Sequence, residues 1–194
     1  MRTYEIERGD CSAMARVWSL TYAEYVTMGY CQPNATHWER HCQLLDCIPE
    51  TTVFCVAVDD GLVGTISITQ ENSQGFHTEH AFPDETQAVR EECAENGWPL
   101  FACWRIVVRQ DYNAGREVIR LLLDWAITFG SENGCKEAIF TFNPKHQAFY
   151  EHLLGLRLVA GPRDDATVSH APAVLMRGSM ETIAKNWLKR KHLR

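Results

Sequence analysis

The sequence lacks the features that would place a protein in a membrane or on an export route. None of its 194 residues belongs to an apolar run long enough for a membrane span, which needs roughly 18 such residues. Met1 to Glu7 contain no apolar h-region, so we expect no signal peptide and a cytoplasmic protein. Internal repeats, low-complexity tracts and Pro/Ser-rich linkers are also missing, and we therefore expect a single domain over residues 1–194.

A surplus of positive charge is missing as well. Lys and Arg number 19 against 25 Asp and Glu, for a formal net charge of −6. Nucleic-acid-binding domains are usually net basic, so we expect no nucleic-acid partner. The net charge of the whole chain does not exclude a local basic patch.

The eight cysteines include no C-x-x-C pair. Cys42 and Cys47 lie near His37 and His41, which raises the hypothesis of a metal site. The group lacks a second ligand pair at zinc-site spacing, and the intervening leucines fit a helix face. We expect no metal, and buried, reduced thiols.

The first half of the chain predicts a strand, two helices, a hairpin and an exposed helix. Asp10 offers an N-cap and Gly29 a stop for the first helix, and Asp-Gly between apolar runs indicates the hairpin. The predicted elements are a strand at 3–8, helices at 10–28 and 36–46, strands at 52–58 and 62–68, a loop at 70–83 and a helix at 84–95.

The second half predicts strands that alternate with helices. The elements are strands at 100–108, 137–142, 156–160 and 172–179, with helices at about 114–131, 144–154 and 181–191. A strand–helix–strand succession implies a parallel pair, and the upstream hairpin adds antiparallel strands. The predicted fold class is therefore α/β, with a central mixed sheet flanked by helices.

The segment from Phe142 to Leu156 carries the most specific signal. Asn143, Ala148, Tyr150 and Gly155 follow a strand in the order seen in the GCN5-related N-acetyltransferase superfamily, which this segment resembles. The resemblance implies that Asn143 binds the pantetheine arm of a thioester donor and that Tyr150 protonates the departing thiolate. The alternative is that Asn143 is only an N-cap and Tyr150 only a core residue.

The upstream half of that superfamily's signature is altered. It places glycines at a strand-to-helix turn whose bare N–H groups hold the pyrophosphate of coenzyme A. In the matching register this chain begins at Val108, has Ala114, Arg116 and Val118 at the glycine positions, and also carries Arg109, Gly115 and Arg120. Glu117 adds a negative charge to the first helical turn. A donor with one phosphodiester, such as acyl carrier protein, should fit this turn better than coenzyme A.

Five segments in order resemble a narrower family, the FeeM-type long-chain N-acyl amino acid synthases, which are similar to acyl-homoserine lactone synthases. They are residues 22–30, 62–66, 105–108, 143–150 and 171–175. The resemblance implies a GNAT-like acyltransferase with acyl carrier protein as donor, an amino acid (tyrosine above all) as acceptor, and no permanently bound cofactor. Two alternatives stay open, a coenzyme A-dependent small-molecule acetyltransferase and a non-catalytic acyl or carrier-protein binding module.

The general base and the acceptor contacts are less defined. Relatives often carry a Glu three residues before the strand Arg, where this chain has Ala102 before Arg105. Glu24 on the first helix is one candidate base, and ordered water on backbone carbonyls is another. Arg105 is a candidate clamp for the acceptor carboxylate. Tyr22, Tyr25, Tyr30 and Trp38 form a candidate aromatic pocket, although aromatic residues at helical spacing are often core.

Two further sets of residues have candidate roles. Phe142 is a candidate lining residue of an acyl tunnel, together with Val53, Cys55, Ile66, Ile68 and Phe140, most of which we expect to be ordinary sheet core. Basic residues are candidates for steering an acidic carrier protein. They are Arg109, Arg116 and Arg120 at the donor turn, Lys145 and His146 after Asn143, and Lys185, Lys189, Arg190, Lys191 and Arg194 near the C-terminus.

Overall fold

The computed structural model describes residues 1–40 and 42–191, without the side chain of Lys191. The elements are β1 (Arg2–Glu5), α1 (Cys11–Met28), β2 (Thr51–Val58), β3 (Gly61–Gln70), α2 (Pro83–Glu95), β4 (Leu100–Val108), α3 (Gly115–Glu132), β5 (Glu137–Phe142), α4 (Gln147–Leu154), β6 (Arg157–Asp165), β7 (Ala171–Ser179) and α5 (Met180–Lys191). Short 3-10 turns lie at Leu45–Cys47, His77–His80, Pro144–His146 and Ala166–Val168.

All seven strands form one sheet in the order β1-β2-β3-β4-β5-β7-β6. β4 and β5 are parallel, as the strand–helix–strand pattern predicts, and the other neighbouring strands are antiparallel. The mixed α/β sheet is therefore confirmed. The sheet joins strands from both halves of the chain, and the single domain over residues 1–194 stays a prediction.

Helices cover both faces of the sheet because residues alternate along its strands. On β4, Phe101 and Cys103 join the core packed by α3, whereas Leu100 and Ala102 join the core packed by α2. The same alternation on β2 directs Val53, Cys55 and Ala57 toward α1. No helix in the described part of the chain is long and apolar enough to cross a membrane.

The predicted N-cap of α1 and the predicted glycines at the C-terminal ends of α1 and α4 are confirmed. The Asp10 carboxylate accepts hydrogen bonds from the N–H groups of Ser12 and Ala13 at the start of α1. Gly29 and Gly155 end their helices in the left-handed conformation, with φ of 75° at both.

The predicted helix over residues 36–46 is wrong for the described residues of that stretch, where only a 3-10 turn begins at Leu45. The Asn34 side chain accepts from the N–H groups of Thr36 and His37, and His37 has a φ of 56°. This local side-chain turn competes with helical hydrogen bonding. The Arg40 guanidinium packs over the rings of both Trp18 and Trp38, which contact each other, and these contacts hold the segment against α1.

Three other predictions differ from the structure, two in the length of a strand and one in the burial of a helix. β1 is shorter than the predicted 3–8, and β6 continues to Asp165 instead of ending at 160. The helix predicted to be exposed, α2, buries Thr86, Val89 and Cys93 under the sheet. β6 was predicted too short because it is an edge strand with mostly exposed residues, which weakens the alternating pattern.

A bulge and a divergence of strands create the space for a site. The pairing of β3 with β4 skips a residue, so that Arg105 and Ile106 stand opposite Ile66, and Arg105 takes a φ of 49°. Pairing of β4 with β5 ends at Cys103 and Phe140, although both strands continue. Beyond that point the two parallel strands no longer pair, and a cleft opens between them.

Candidate active site

A cavity of about 310 Å³ occupies the cleft between the ends of β4 and β5. Residues 103–108 of β4 line one wall, and Thr141, Phe142, Asn143, His146 and Tyr150 line another. Tyr25, Met28 and Tyr30 close it from the α1 side, and the β6–β7 connection closes it through Asp165, Thr167 and Val168. The cavity has the size and mixed lining typical of a small-molecule site.

Asn143 lies at the carboxyl end of β5 and lines this cavity. Its side-chain oxygen accepts a hydrogen bond from the N–H of Lys145 at 3.2 Å. Asn143 is thus an N-cap, as the alternative interpretation held, and it also faces the cavity. Its amide N–H₂ remains as the group that can donate to a ligand.

Tyr150 lies in α4 and lines the same cavity, as the spacing from Asn143 predicts. Its ring stacks on Phe142 with centroids 3.9 Å apart and is 7% exposed. Burial raises the pKa of Tyr150 well above its ordinary value, and Cys103 adds to the increase. The phenol is therefore protonated at neutral pH and can act as an acid.

The donor turn, defined here as residues 108–118, binds most of its backbone N–H groups internally. Tyr112 donates to Arg109, and Gly115 donates to Tyr112, which makes two consecutive turns. The N–H groups of Arg109, Gln110, Tyr112, Gly115, Glu117 and Val118 all donate to oxygens of the chain. The N–H groups of Asp111, Asn113, Ala114 and Arg116 make no such bond within the described part of the chain, so they remain as backbone donors for a phosphate.

The three replaced glycine positions of the donor turn differ in where their side chains lie. Arg116 is exposed, whereas Val118 is fully buried. A Cβ at Gly64 of β3 would lie 2.3 Å from a Val118 methyl, so the valine fills the space that the missing side chain of Gly64 leaves. Although Val118 replaces a glycine, it does not obstruct the turn, because its side chain points into the core. Ala114 precedes α3, which begins at Gly115.

Two arginines at or just after the donor turn are near carboxylates. Arg109 Nε lies 2.8 Å from Asp111 Oδ1, and Arg120 Nη1 lies 3.3 Å from Asp124 Oδ2. The Arg109 pair is exposed and contributes little stability, whereas the Arg120 pair is partly buried. Lys145 follows Asn143, with its Nζ 5.4 Å from the Tyr30 ring centroid. Lys185, Lys189 and Arg190 lie on α5, and Arg194 lies outside the described residues.

Arg105 lines the cavity from the β4 bulge, but its guanidinium is already bound by protein groups. Nη1 and Nη2 donate to the Asp46 carboxylate, and Nε and Nη2 donate to the Ser67 hydroxyl. Asp46 also accepts from Trp18 Nε1 at 2.8 Å. One N–H of the guanidinium remains, so the hypothesis of a bidentate carboxylate clamp does not fit this geometry.

Glu24 lies behind the donor turn rather than along the cavity. It is only 7% exposed, and Oε2 accepts a hydrogen bond from the N–H of Gln110 at 3.3 Å. Burial raises the pKa of Glu24, and the Gln110 hydrogen bond partly offsets that increase. Gln110 lines the cavity, so Glu24 contacts the site through that residue.

The predicted aromatic pocket forms only in part. Tyr25 and Tyr30 line the cavity and meet edge to face with centroids 5.7 Å apart. Tyr22 contacts His37 and the backbone of Asn34, and Trp38 packs on Trp18. Neither Tyr22 nor Trp38 is part of the cavity lining: Tyr22 faces the segment after α1, and Trp38 lies in that segment, whose described residues form no α-helix.

Of the tunnel candidates, Phe142 lines the cavity. The other five are buried in the cores on the two faces of the sheet, in keeping with the expectation that most are ordinary core. They are Val53, Cys55, Ile66, Ile68 and Phe140.

Several polar residues of the cavity were missed by sequence reasoning. Asp165 and Thr167 lie beyond the predicted end of β6, and His77 lies in the predicted loop. The hydroxyls of Thr141 and Tyr30 are buried with no hydrogen-bond partner in the protein. Such orphaned hydroxyls are costly unless a ligand or water binds them. The alternation of β5 could have indicated Thr141, which lies on the same strand face as Asn143.

The cysteines are reduced, and six of the eight are buried. Cys11 and Cys47 are exposed, so the expectation of buried thiols fails at these two positions. His41 of the hypothetical metal cluster lies outside the described residues. Among the residues that are described, no group of three His, Cys, Asp or Glu side chains is arranged to hold a metal ion.

Comparison with known families gives one match that spans most of the chain. The model of the N-acyl amino acid synthase FeeM family matches residues 16–179. A comparison with curated protein sequences finds no significant match.

Solved structures with the same fold include the N-acyl amino acid synthase FeeM from uncultured soil microbes. It is 20% identical, with 99% of this chain and 97% of that chain covered and a TM-score of 0.80. The coenzyme A-dependent acyl-homoserine lactone synthase BjaI is 13% identical, with 99% and 90% covered and a TM-score of 0.64. An acyl-CoA N-acyltransferase from Pseudomonas aeruginosa is 15% identical, with 91% and 97% covered and a TM-score of 0.60. At these identities the likeness shows the fold, and the GNAT-like architecture is confirmed.

Proposed function

Since this chain belongs to the N-acyl amino acid synthase FeeM family and is an acyltransferase, we propose that it moves a long-chain fatty acyl group from acyl carrier protein to the α-amine of an amino acid, with tyrosine preferred. The observation that carries the proposal is the cavity between β4 and β5, which Asn143 and Tyr150 both line. An amide-linked N-acyl amino acid is the product.

The reaction is an attack of the acceptor amine on the thioester carbonyl. The new C–N bond forms, the C–S bond breaks, and the thiolate of the phosphopantetheine leaves. Tyr150 donates the proton that prevents the thiolate from recapturing the acyl group, a role supported by its place in the cavity lining with Asn143 and by its protonated state at neutral pH. Asn143 binds the pantetheine arm through its side-chain amide.

Two features near the donor turn support acyl carrier protein as the donor. Basic side chains, exposed at Arg116 and half-buried at Arg109 and Arg120, would attract an acidic carrier protein. Phe149 lies on α4 beside Tyr150 and is 50% exposed, so it offers an apolar contact near the site.

The acceptor is proposed to lie between α1 and the β4 bulge. Tyr25 lines this part of the cavity, and Arg105 would contribute its remaining N–H to the acceptor carboxylate. Phe142 would contact the acyl group, since it stacks on Tyr150. Tyr22 and Trp38 would act from outside the lining by holding the segment that follows α1.

Glu24 remains the proposed group for proton removal from the amine, through Gln110 or water at the turn. Its raised pKa makes it a better proton acceptor than an ordinary glutamate, because burial disfavours its charged form.

Product analysis tests the proposal. The purified chain is incubated with hexadecanoyl carrier protein or hexadecanoyl-coenzyme A, in the presence of the twenty amino acids, and the products are identified by mass spectrometry. We expect N-hexadecanoyl amino acids, tyrosine derivatives above all, to form faster from the carrier protein. Formation from coenzyme A alone would contradict the donor, and no acylated amino acid from either donor would contradict the function.

A further inference from the structure

The two ends of the cavity differ in charge. Tyr150 lies on the wall with Phe142, Asn143 and His146, none of which is a carboxylate. Cys42, Arg105 and Asp165 also line the cavity, and Asp46 binds the Arg105 guanidinium. Burial raises the pKa of the Cys42 thiol, Arg105 lowers it, and Asp46, Asp165 and Glu39 raise it further. This second region, called here the acidic end, therefore holds three carboxylates against one guanidinium.

Asp165 is the carboxylate of the acidic end that faces the cavity. It is 7% exposed, and it is the only carboxylate that lines the cavity within the described residues. Its Oδ1 accepts hydrogen bonds from the N–H of Thr167 at 2.9 Å and from the Thr167 hydroxyl at 2.6 Å. These two bonds fix the orientation of the carboxylate at the wall.

The cation that lines the cavity is already compensated. Arg105 is the only Arg or Lys that lines the cavity in the described part of the chain. Its guanidinium binds the Asp46 carboxylate through two nitrogens, and both side chains are 1% exposed. A buried carboxylate that lacks its own cation is unfavourable, and a ligand that brings a cation offsets that penalty.

A second polar atom near this wall also lacks a protein partner. The Tyr30 hydroxyl is buried without a hydrogen bond, and its ring lines the cavity. The rings of Tyr25 and Tyr30 meet edge to face with centroids 5.7 Å apart, and both residues line the cavity together with Arg105. A ligand with an ammonium group supplies N–H donors to both the carboxylate and this hydroxyl.

We propose that Asp165 binds the ammonium group of the acceptor, with the Tyr30 hydroxyl as a second contact. The inference rests on the proposed function, because the ligand is the acceptor of that reaction. The acceptor class is then defined by a primary ammonium. Its carboxylate is of secondary importance, because Arg105 has one N–H left to offer.

Binding of matched ligands tests this inference without turnover. Calorimetry would compare tyrosine with tyramine, which lacks the carboxylate, and with 3-(4-hydroxyphenyl)propanoate, which lacks the ammonium. The leucine series (leucine, 3-methylbutylamine and 4-methylpentanoate) repeats the comparison with another side chain. Each titration is made with and without a saturating acyl-pantetheine thioether that cannot be transferred. We expect the ammonium-containing ligands to bind about 10- to 100-fold more tightly than the acids.

Asp165→Asn isolates the charge, because the asparagine keeps an Oδ1 that can accept from Thr167. We expect it to weaken the ammonium-containing ligands about 10- to 100-fold and to leave the acids unchanged. Asp164→Asn, at the exposed neighbouring position, is the matched control and should change neither. Equal binding of acids and amines, absence of ammonium binding, or no effect of Asp165→Asn would each overturn the inference.

The proposed function and the inference about Asp165 can be overturned independently of each other. Ammonium binding that depends on Asp165, together with no acylated product, would overturn the proposed function alone. Acyl transfer to amino acids by an Asp165→Asn variant with wild-type KM for the acceptor would overturn the inference alone.

Discussion

The donor turn and the acidic end both contribute to the same cavity and leave different polar groups for a ligand. In the donor turn, Gln110 donates to Glu24, whereas the N–H groups of Ala114 and Arg116 make no hydrogen bond with the described residues of the chain. At the acidic end, the Asp165 carboxylate lines the cavity, and the Tyr30 hydroxyl has no protein partner. The turn offers hydrogen-bond donors, and the acidic end offers a negative charge and a hydroxyl.

This difference indicates where recognition of each substrate comes from. The turn offers its unbound N–H groups to a phosphate, and we propose that side-chain charge, Asn143 and contacts outside the cavity also hold the donor. A cavity wall with unpaired polar groups binds a ligand more tightly when that ligand forms hydrogen bonds or ion pairs with them, and more weakly when it does not. We infer that selectivity for the acceptor is built into the cavity, whereas selectivity for the donor depends on the surface.

The largest effect is expected at Tyr150, which lies between the two regions. Tyr150→Phe keeps the stacking on Phe142 but removes the proton donor, so turnover should fall by about 10²- to 10⁴-fold. Donor affinity should stay within about twofold, because the ring remains in place. Single-turnover kinetics with binding measured in parallel separates the two quantities. An unchanged rate would remove the general-acid role.

Charge reversal at the donor turn should weaken carrier binding. Arg109→Glu, Arg116→Glu and Arg120→Glu together replace attraction by repulsion, and affinity for acyl carrier protein should fall by about 10-fold or more at low salt. The loss should shrink as salt screens the charges. The same change at the exposed Arg8, Arg16 and Arg157, which are distant in sequence from the turn, is the control. Equal losses in both triple variants would show that total charge matters and not this patch.

Removing a buried hydroxyl that lacks a hydrogen-bond partner should have different effects on the free energy of unfolding and on acceptor binding. Tyr30→Phe and Tyr4→Phe each delete a buried hydroxyl that has no partner, so each should raise the free energy of unfolding by about 1 kcal/mol. Tyr4 lies on β1 beside α1 and does not line the cavity, so only Tyr30→Phe should weaken acceptor binding. Urea unfolding and calorimetry measure the two effects. Unchanged acceptor affinity in Tyr30→Phe would mean that the acidic end does not use this hydroxyl.

The smallest effect is expected at Glu24 and is visible as a pH dependence. The pKa of Glu24 is raised in the folded state, so the folded protein favours the protonated carboxyl. Its contribution to stability is therefore fully present below the ordinary pKa of 4.5 and is lost as the pH rises through the folded value. Glu24→Gln should remove this decline in the free energy of unfolding. A wild-type protein whose stability rises with pH across this window, relative to the variant, would contradict the assignment.

Much of the fold follows from local sequence. Alternating apolar residues predict β2, β3, β4, β5 and β7, and the caps at Asp10, Gly29 and Gly155 locate the ends of helices. The segment after α1 is the exception, because the Asn34 side chain and the contacts of Arg40 with two tryptophans outweigh helix propensity there. The exposed edge strand β6 was predicted too short for the related reason that its solvent face gives little pattern.

The sequence by itself determined the sheet, its parallel pair and the pairing of Asn143 with Tyr150, since a strand end and the following helix turn are local geometry. It also determined the altered glycines of the donor turn. Only the tertiary structure decided that Val118 packs on Gly64 and that Asp46 occupies the Arg105 guanidinium. It also decided that Asp165 faces the cavity. These contacts join residues from separate segments, and their partners are chosen by packing and by the need to compensate buried charge rather than by spacing along the chain.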